Sequence, residues 1–307
     1  MVGTIQKFLL GASVLASVSA IASTPAFAIS ITPTSLTGNF LIYDSNGINT
    51  FQVGYTGLSQ AQTILEGSCT VGPGNACVPA GSPTGNIELF ADSETGAYSK
   101  LSDFKNAPVT SLTGTLFGKE ITLSSLTGVD WFGPSMDTSY YATGNPNSTF
   151  AAKWFNQALD ANGASALKTA ANFNLFLSLG GFQRFSDPNI SYVTQETATS
   201  GVLIGLAGHY NAGDAFPPGS IFSILFNNKQ ASEIVKVTYA GKTDYHYSFN
   251  AALSGLTALD DRHSHNGNYE VDPIPPDTTK VPEPSTLLGI IGIGSFLAGK
   301  RKMMKKA

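Results

Sequence analysis

Apolar and polar positions alternate through much of the chain, and the period shifts in its middle. Asn39-Phe-Leu-Ile-Tyr43 and Thr50-Phe-Gln-Val-Gly-Tyr55 flank the turn group Asp44-Ser-Asn-Gly47, which predicts a β-hairpin. Asn86–Phe90 reads as another strand. Ser111–Leu116 and Glu120–Leu126 lie either side of Phe117-Gly118-Lys119, a second hairpin. Ile190–Gln195 and Val202–Ala207 continue the strand pattern, and the short apolar run Ile221–Phe226 fits a buried strand. Glu233–Tyr239 and Asp244–Phe249 surround Ala240-Gly-Lys-Thr243, which predicts a late hairpin.

Between these strands the spacing turns helical. Asn147 or Ser148 can cap a helix, because a short side-chain oxygen accepts from the first free amides. Phe150, Trp154 and Ala158, with Ala151, Phe155 and Leu159, then recur at i, i+4, and Gly163 marks the stop. A second helix is expected from Ser165 to Leu179, with Leu167, Ala171, Leu175 and Leu179 as its stripe and Gly180-Gly181 as its end. The expected class is α+β: a mostly antiparallel sheet with a helical hairpin packed on it. Ser-Leu-Thr-Gly occurs at 35–38, 111–114 and 125–128, but the unequal gaps exclude a solenoid or propeller period.

Both ends have a different character. A start containing Lys7, an apolar run from Phe8 to about Ala22 and the small-x-small site Ala26-Phe27-Ala28 predict a signal peptide cleaved by signal peptidase after Ala28. At the other end, Val281-Pro-Glu-Pro-Ser285 precedes an apolar run of 14 residues, Thr286 to Gly299, and a basic tail from Lys300 to Ala307. As a helix the run would measure about 21 Å. A bilayer core is about 30 Å thick, so the run is short for a permanent anchor. Its basic tail would stay on the cytoplasmic side, which leaves Pro282, Glu283 and Pro284 on the outer face.

That three-part tail resembles the PEP-CTERM sorting signal, also described as an ice-binding protein C-terminal domain. The resemblance implies recognition by an exosortase, a membrane-embedded processing enzyme. It also implies sorting to the envelope or an exopolysaccharide matrix, with membrane attachment through the tail before processing. The ice-binding description belongs to the shared tail, and no regular Thr-x-Thr array accompanies it. Four segments of the middle, Ile31-Thr-Pro-Thr34, Asp130-Trp-Phe-Gly133, Gly180–Tyr192 and Leu206-Ala-Gly-His-Tyr210, resemble a group of cyanobacterial PEP-CTERM proteins with no assigned activity. The expected organisation is a signal peptide over 1–28, a globular domain over 29–258, a Pro-rich polar linker over 259–280 and a sorting signal over 281–307.

Charge narrows the partners. Without Lys7 and the five basic residues of the tail, 11 basic residues face 21 acidic ones, a balance of about −10. An acidic exported domain is a poor nucleic-acid binder, since such binding needs cations to displace counterions.

The candidate chemistry is sparse. Cys69 and Cys77 bracket Gly-Pro-Gly, and an oxidising compartment favours a disulfide between them. His263 and His265 follow Asp260 and Asp261, a thin candidate metal cluster in the expected linker. His209 precedes the turn group Asn211–Asp214, and His246 sits in an alternating strand. No Gly-x-Ser-x-Gly elbow, Walker loop, dinucleotide fingerprint, zincin motif or EF-hand loop occurs, and no cofactor is expected. Ser102–Lys105 and Ser165–Lys168 match Ser-x-x-Lys without the context that gives it meaning. Glu88, Asp103, Asp130 and Asp187 are available as glycosidase-type carboxylates, and Trp131, Phe132 and the tyrosines as sugar-stacking rings. The sequence therefore favours a non-enzymatic envelope or matrix protein that binds extracellular polysaccharide or serves structurally. A secreted glycan hydrolase and a metal-binding envelope protein are the alternatives.

Overall fold

The computed structural model describes residues 28–66, 85–93, 98, 100–141, 144–145 and 147–276. Ala26, Cys69, Cys77, Pro282, Glu283 and Pro284 lie outside them; Ala28 lies at their start and is exposed. Among the described residues no helix is long and apolar enough to cross a membrane.

The hairpins follow the alternation. Strands β1 (Ile29–Ser30), β2 (Thr32–Thr37), β3 (Phe40–Ser45) and β4 (Asn49–Val53) precede helix α1 (Leu58–Leu65) and strand β5 (Gly85–Leu89). In the β3–β4 turn, Gly47 takes a positive φ of 86° while Asn46 Oδ1 accepts from the amides of Ile48 and Asn49. Helix α2 (Leu101–Lys105) leads to β6 (Ser111–Leu116) and β7 (Lys119–Ser124). Phe117 and Gly118, with φ of 48° and 75°, form a two-residue turn between β6 and β7 that suits the right-handed twist of the flanking strands.

Helices α3 (Gly128–Phe132), α4 (Phe150–Ala161) and α5 (Ala170–Ser178) follow. Then come β8 (Asn189–Gln195), β9 (Val202–Gly208), α6 (Ile221–Leu225), β10 (Val235–Tyr239), β11 (Lys242–His246), β12 (Ala251–Leu253), β13 (Thr257–Ala258) and β14 (Gly267–Glu270). The larger sheet has the order β12-β14-β9-β8-β5-β3-β4-β13 with β1 on β8, and the smaller has the order β11-β10-β7-β6-β2. Among the described residues, every strand pairing is antiparallel except β13 on β4. The α+β, mostly antiparallel expectation therefore holds.

Two cores divide the apolar residues. The first draws on both sheets, with Ile42, Ile87, Val193, Ile204 and Leu206 from one and Leu112, Ile121, Leu123 and Val237 from the other, and takes Ala61, Ile64 and Leu65 from α1. The second is aromatic and gathers α3, α4, α5 and α6 around Trp131, Trp154, Phe155, Phe176, Phe182 and Phe222. Helices α4 and α5 meet there through Phe155, whose ring lies 5.5 Å from Phe173 and 5.6 Å from Phe176.

Four local expectations need correction. Helix α4 is capped by Thr149, whose hydroxyl accepts from the Ala152 amide at 3.1 Å, and not by Asn147 or Ser148. The second helical segment begins with a 3-10 turn at Ser165–Leu167, and α5 buries Phe173 and Phe176 while Leu175 and Leu179 stay 36% and 43% exposed. Rings at i, i+3 reach the aromatic core and displace the aliphatic stripe. Ile221–Phe226 is a helical turn, not a strand: the Ser220 hydroxyl caps it, and Phe222 and Phe226 are buried while Ile221 and Ile224 face outward. That is a period of four, which a short apolar run conceals.

The fourth correction concerns the expected linker, 259–280. Its described part, through residue 276, belongs to the domain. Strand β14 is inserted between β12 and β9, Tyr269 and Val271 are buried, and Ile274 bridges to Val202. The polar run Asp260–His265 is a tight turn in which Asp261 Oδ1 accepts from the amides of His263 and Ser264. Asx-turn chemistry accounts for its composition.

Candidate functional site

Two of the concavities among the described residues bring titratable side chains together. The larger is a shallow groove of about 560 Å³ lined by Tyr245, His246, Tyr247, Ser248 and Phe249, with Gln157, Asp160 and Ala161 from α4 and Asp272. Strand β11 and its continuation supply the rings. Tyr245 is supported from below by Phe150, stacked at 4.5 Å and 22°, and Tyr247 by Phe249 at 5.4 Å. The hydroxyls are fixed as well: Tyr245 donates to Asp130 Oδ1 at 2.9 Å and Tyr247 to Gln157 Oε1 at 2.5 Å. All three groove rings, Tyr245, Tyr247 and Phe249, are half-buried. Burial first, and then Asp130 for Tyr245, raises both phenols above their ordinary range, so they remain neutral hydroxyls. Burial lowers His246, opposed by Asp244 and Asp272.

The smaller concavity is an acidic cleft of about 370 Å³ assembled at strand ends. Strand pairing sets Glu88 of β5 opposite Asn189 of β8. Asp187 precedes β8, Glu233 precedes β10, His209 follows β9, and Asp260, Asp261 and His265 come from the turn before β14. Asp187 is buried and accepts from the Ser93 hydroxyl at 2.5 Å. Glu233 accepts from the Asn189 amide at 2.8 Å and from Asn189 Nδ2 at 3.2 Å. Desolvation first, and then the negative Asp187, hold the Glu233 carboxyl well above the usual carboxylate range. Tyr43 pairs with Glu88, and burial followed by that charge raises its phenol. His265 is buried; its Nδ1 lies 2.7 Å from Thr50 Oγ1, and its ring meets Tyr43 edge-on at 4.6 Å. Burial pushes His265 down to about 4, so its imidazole is neutral at physiological pH.

The sequence candidates scatter accordingly. Glu88, Asp187, His209 and His265 meet in the acidic cleft, joined by Glu233, which no motif singles out. His263 is exposed, and among the described residues no group of three or more His, Cys, Asp or Glu side chains is arranged to hold a metal. Asp103 is exposed on α2. Asp130 is structural: it completes the α3 capping box with Thr127 and pairs with Lys236 at 2.9 Å. Trp131 and Phe132 are core residues. Ser165 and Lys168 both bond Asp160, which gives that Ser-x-x-Lys match a structural explanation. A glycan hydrolase needs two carboxyl groups flanking the scissile bond in a cleft that holds the sugar. The groove sets its rings beside Asp160 and Asp272, and the cleft sets Tyr43 beside Glu88, Asp187 and Glu233. Comparison with known proteins gives no matching family model, curated relative or solved structure.

Proposed function

We propose that the chain is an exported, exosortase-sorted protein of the cell envelope or extracellular matrix whose domain binds polysaccharide in the Tyr245–Tyr247 groove. The observation that carries this reading is the groove's lining: three half-buried aromatic rings beside Gln157, Asp160, His246 and Asp272. Sugar rings present apolar faces that pack on aromatic rings, and their hydroxyls need both donors and acceptors. The groove supplies each of these, and its open form suits a chain that enters and leaves along the surface. The signal-peptide pattern ending at Ala28 and the tail motif Pro282-Glu283-Pro284 support export by signal peptidase and sorting by an exosortase. In this reading the tail attaches to the membrane only before processing.

The test is affinity electrophoresis of the envelope-derived protein through gels cast with neutral and acidic polysaccharides from the producing cells. Retardation by at least one polysaccharide is expected, weakened about tenfold in apparent affinity by Tyr247→Ala. Free migration through every gel would refute the reading.

A further inference from the structure

The groove carries a charge and a hydrogen-bond polarity that choose among glycans. Two carboxylates line it, Asp160 and Asp272, and among the described residues no lysine or arginine does. Asp160 is offset by a residue that does not line the groove: Lys168 Nζ lies 2.6 Å from its Oδ1. Asp272 has no such counterpart. It is exposed, and among the described residues no ion pair engages it. His246 feels the charges of Asp272 and Asp244, yet burial is the larger effect and favours its neutral form. The groove is therefore negative where Asp272 stands.

The hydroxyl protons add a second bias. Tyr245 donates to Asp130 Oδ1 and Tyr247 to Gln157 Oε1, so both phenol oxygens are left to accept. Ser248 Oγ donates to the Asn250 carbonyl at 3.2 Å and accepts from the Asn250 amide at 3.3 Å. Side-chain capacity around the rings is thus weighted towards acceptors, with Gln157 Nε2 and the His246 ring as the donors. A sugar hydroxyl meets both kinds of partner, since it donates and accepts. A carboxylate or sulfate ester brings acceptors alone, with a charge of the same sign as Asp272.

Resting on the reading of this groove as the glycan site, we propose that it takes neutral, hydroxyl-rich polysaccharide and rejects polyanionic chains, with Asp272 setting the discrimination. Two like charges about 4 Å apart in water repel by enough to lower affinity roughly fivefold. The domain as a whole is acidic and would repel polyanions weakly from any side, so the local effect has to be separated from the general one.

The experiment is isothermal titration of the envelope-derived protein with two pairs of polysaccharides from the producing cells. In one pair the uronate groups of the acidic chain are reduced to hydroxymethyl groups. In the other the hydroxymethyl groups of the neutral chain are oxidised to carboxylates. Each pair differs only in charge. The uncharged member of a binding pair should bind at least about fivefold more tightly at low salt, and added salt should shrink that ratio. Tyr247→Ala should weaken whichever members bind, which ties the ratio to the groove. Asp272→Asn keeps an acceptor, removes the charge and should lower the ratio at least about twofold. Asp103→Asn makes the same change in net charge on α2, outside the groove lining, and should leave the ratio at its wild-type value. Both aspartates are exposed, so both variants should melt with the wild type. Equal affinity within each pair, tighter binding of the charged member, or a ratio that Asp272→Asn lowers no more than Asp103→Asn would each overturn the discrimination while the groove remains a glycan site. Binding of none of the four polysaccharides would overturn the glycan reading and the discrimination together.

Discussion

Acidification should destabilise this domain through its buried imidazoles, and for His265 the magnitude follows from its surroundings. His265 is 4% exposed, bonded through Nδ1 to Thr50, and lowered by burial from 6.5 to about 4. A base with a depressed folded-state pKa binds its proton more tightly in the unfolded chain. Stability is then complete above the unfolded value and falls as pH drops from about 6.5 towards 4. Between about pH 7.5 and about pH 5 the linkage costs roughly 2 kcal/mol. For a domain of this size that is roughly 4–8 °C in melting temperature. Glu233 acts with the opposite sign, because its raised carboxyl holds a proton more tightly when folded and strengthens the fold as pH falls. The bare pH profile therefore mixes these effects with those of His209 and His246, which burial also lowers, and the comparison must be made against His265→Gln, which cannot titrate. Urea unfolding of both proteins at the two pH values is the assay. Wild type should lose about 2 kcal/mol more than the variant on acidification. Parallel profiles would refute the claim that His265 is buried as a neutral base.

Other consequences are simpler. Thr149→Ala should cost about 1 kcal/mol in urea unfolding, because α4 loses the side-chain cap that Thr149 provides at that end. Phe176→Ala should cost about 3–5 kcal/mol, since its ring packs against Trp154, Phe155, Phe182 and Phe222 in the aromatic core. Intact mass of the native protein should give a chain beginning at Ile29 and ending near Pro282–Ser285. A chain retaining Lys300 to Ala307 would point to a simple tail anchor.

The parts of this fold that depend on neighbours in sequence were legible, and those that depend on distant partners were not. Hairpins β3–β4, β6–β7 and β10–β11 announce themselves because glycine and asparagine at the turns permit positive φ, as at Gly47, Gly118 and Gly241. Helix α4 was visible because its i, i+4 spacing coincides with a single buried face. The face of α5 was misjudged because Phe173 and Phe176 answer to rings on α4 and after α5, not to their own helix. Residues 259–276 looked like a linker because most of them are polar, some forming a turn that lines the cleft, while the buried apolar side chains are sparse: Tyr269, Val271 and Ile274. The cleft itself was half legible. Glu88 and Asp187 are recognisable as available carboxylates, but Glu233 joins them only when β10 is placed beside β7. In the groove, alternation places Tyr245 and Tyr247 on one side of an extended segment, yet nothing local places Gln157 against them.

The most direct test of the central claim is saturation-transfer difference NMR of the protein with oligosaccharides cut from the producing cell's own matrix polysaccharide. Irradiating the aromatic protons should saturate sugar ring protons, and Tyr247→Ala should remove most of that transfer while the melting temperature is kept. Absence of transfer for every oligosaccharide, or transfer undiminished in Tyr247→Ala, would contradict glycan binding at this groove.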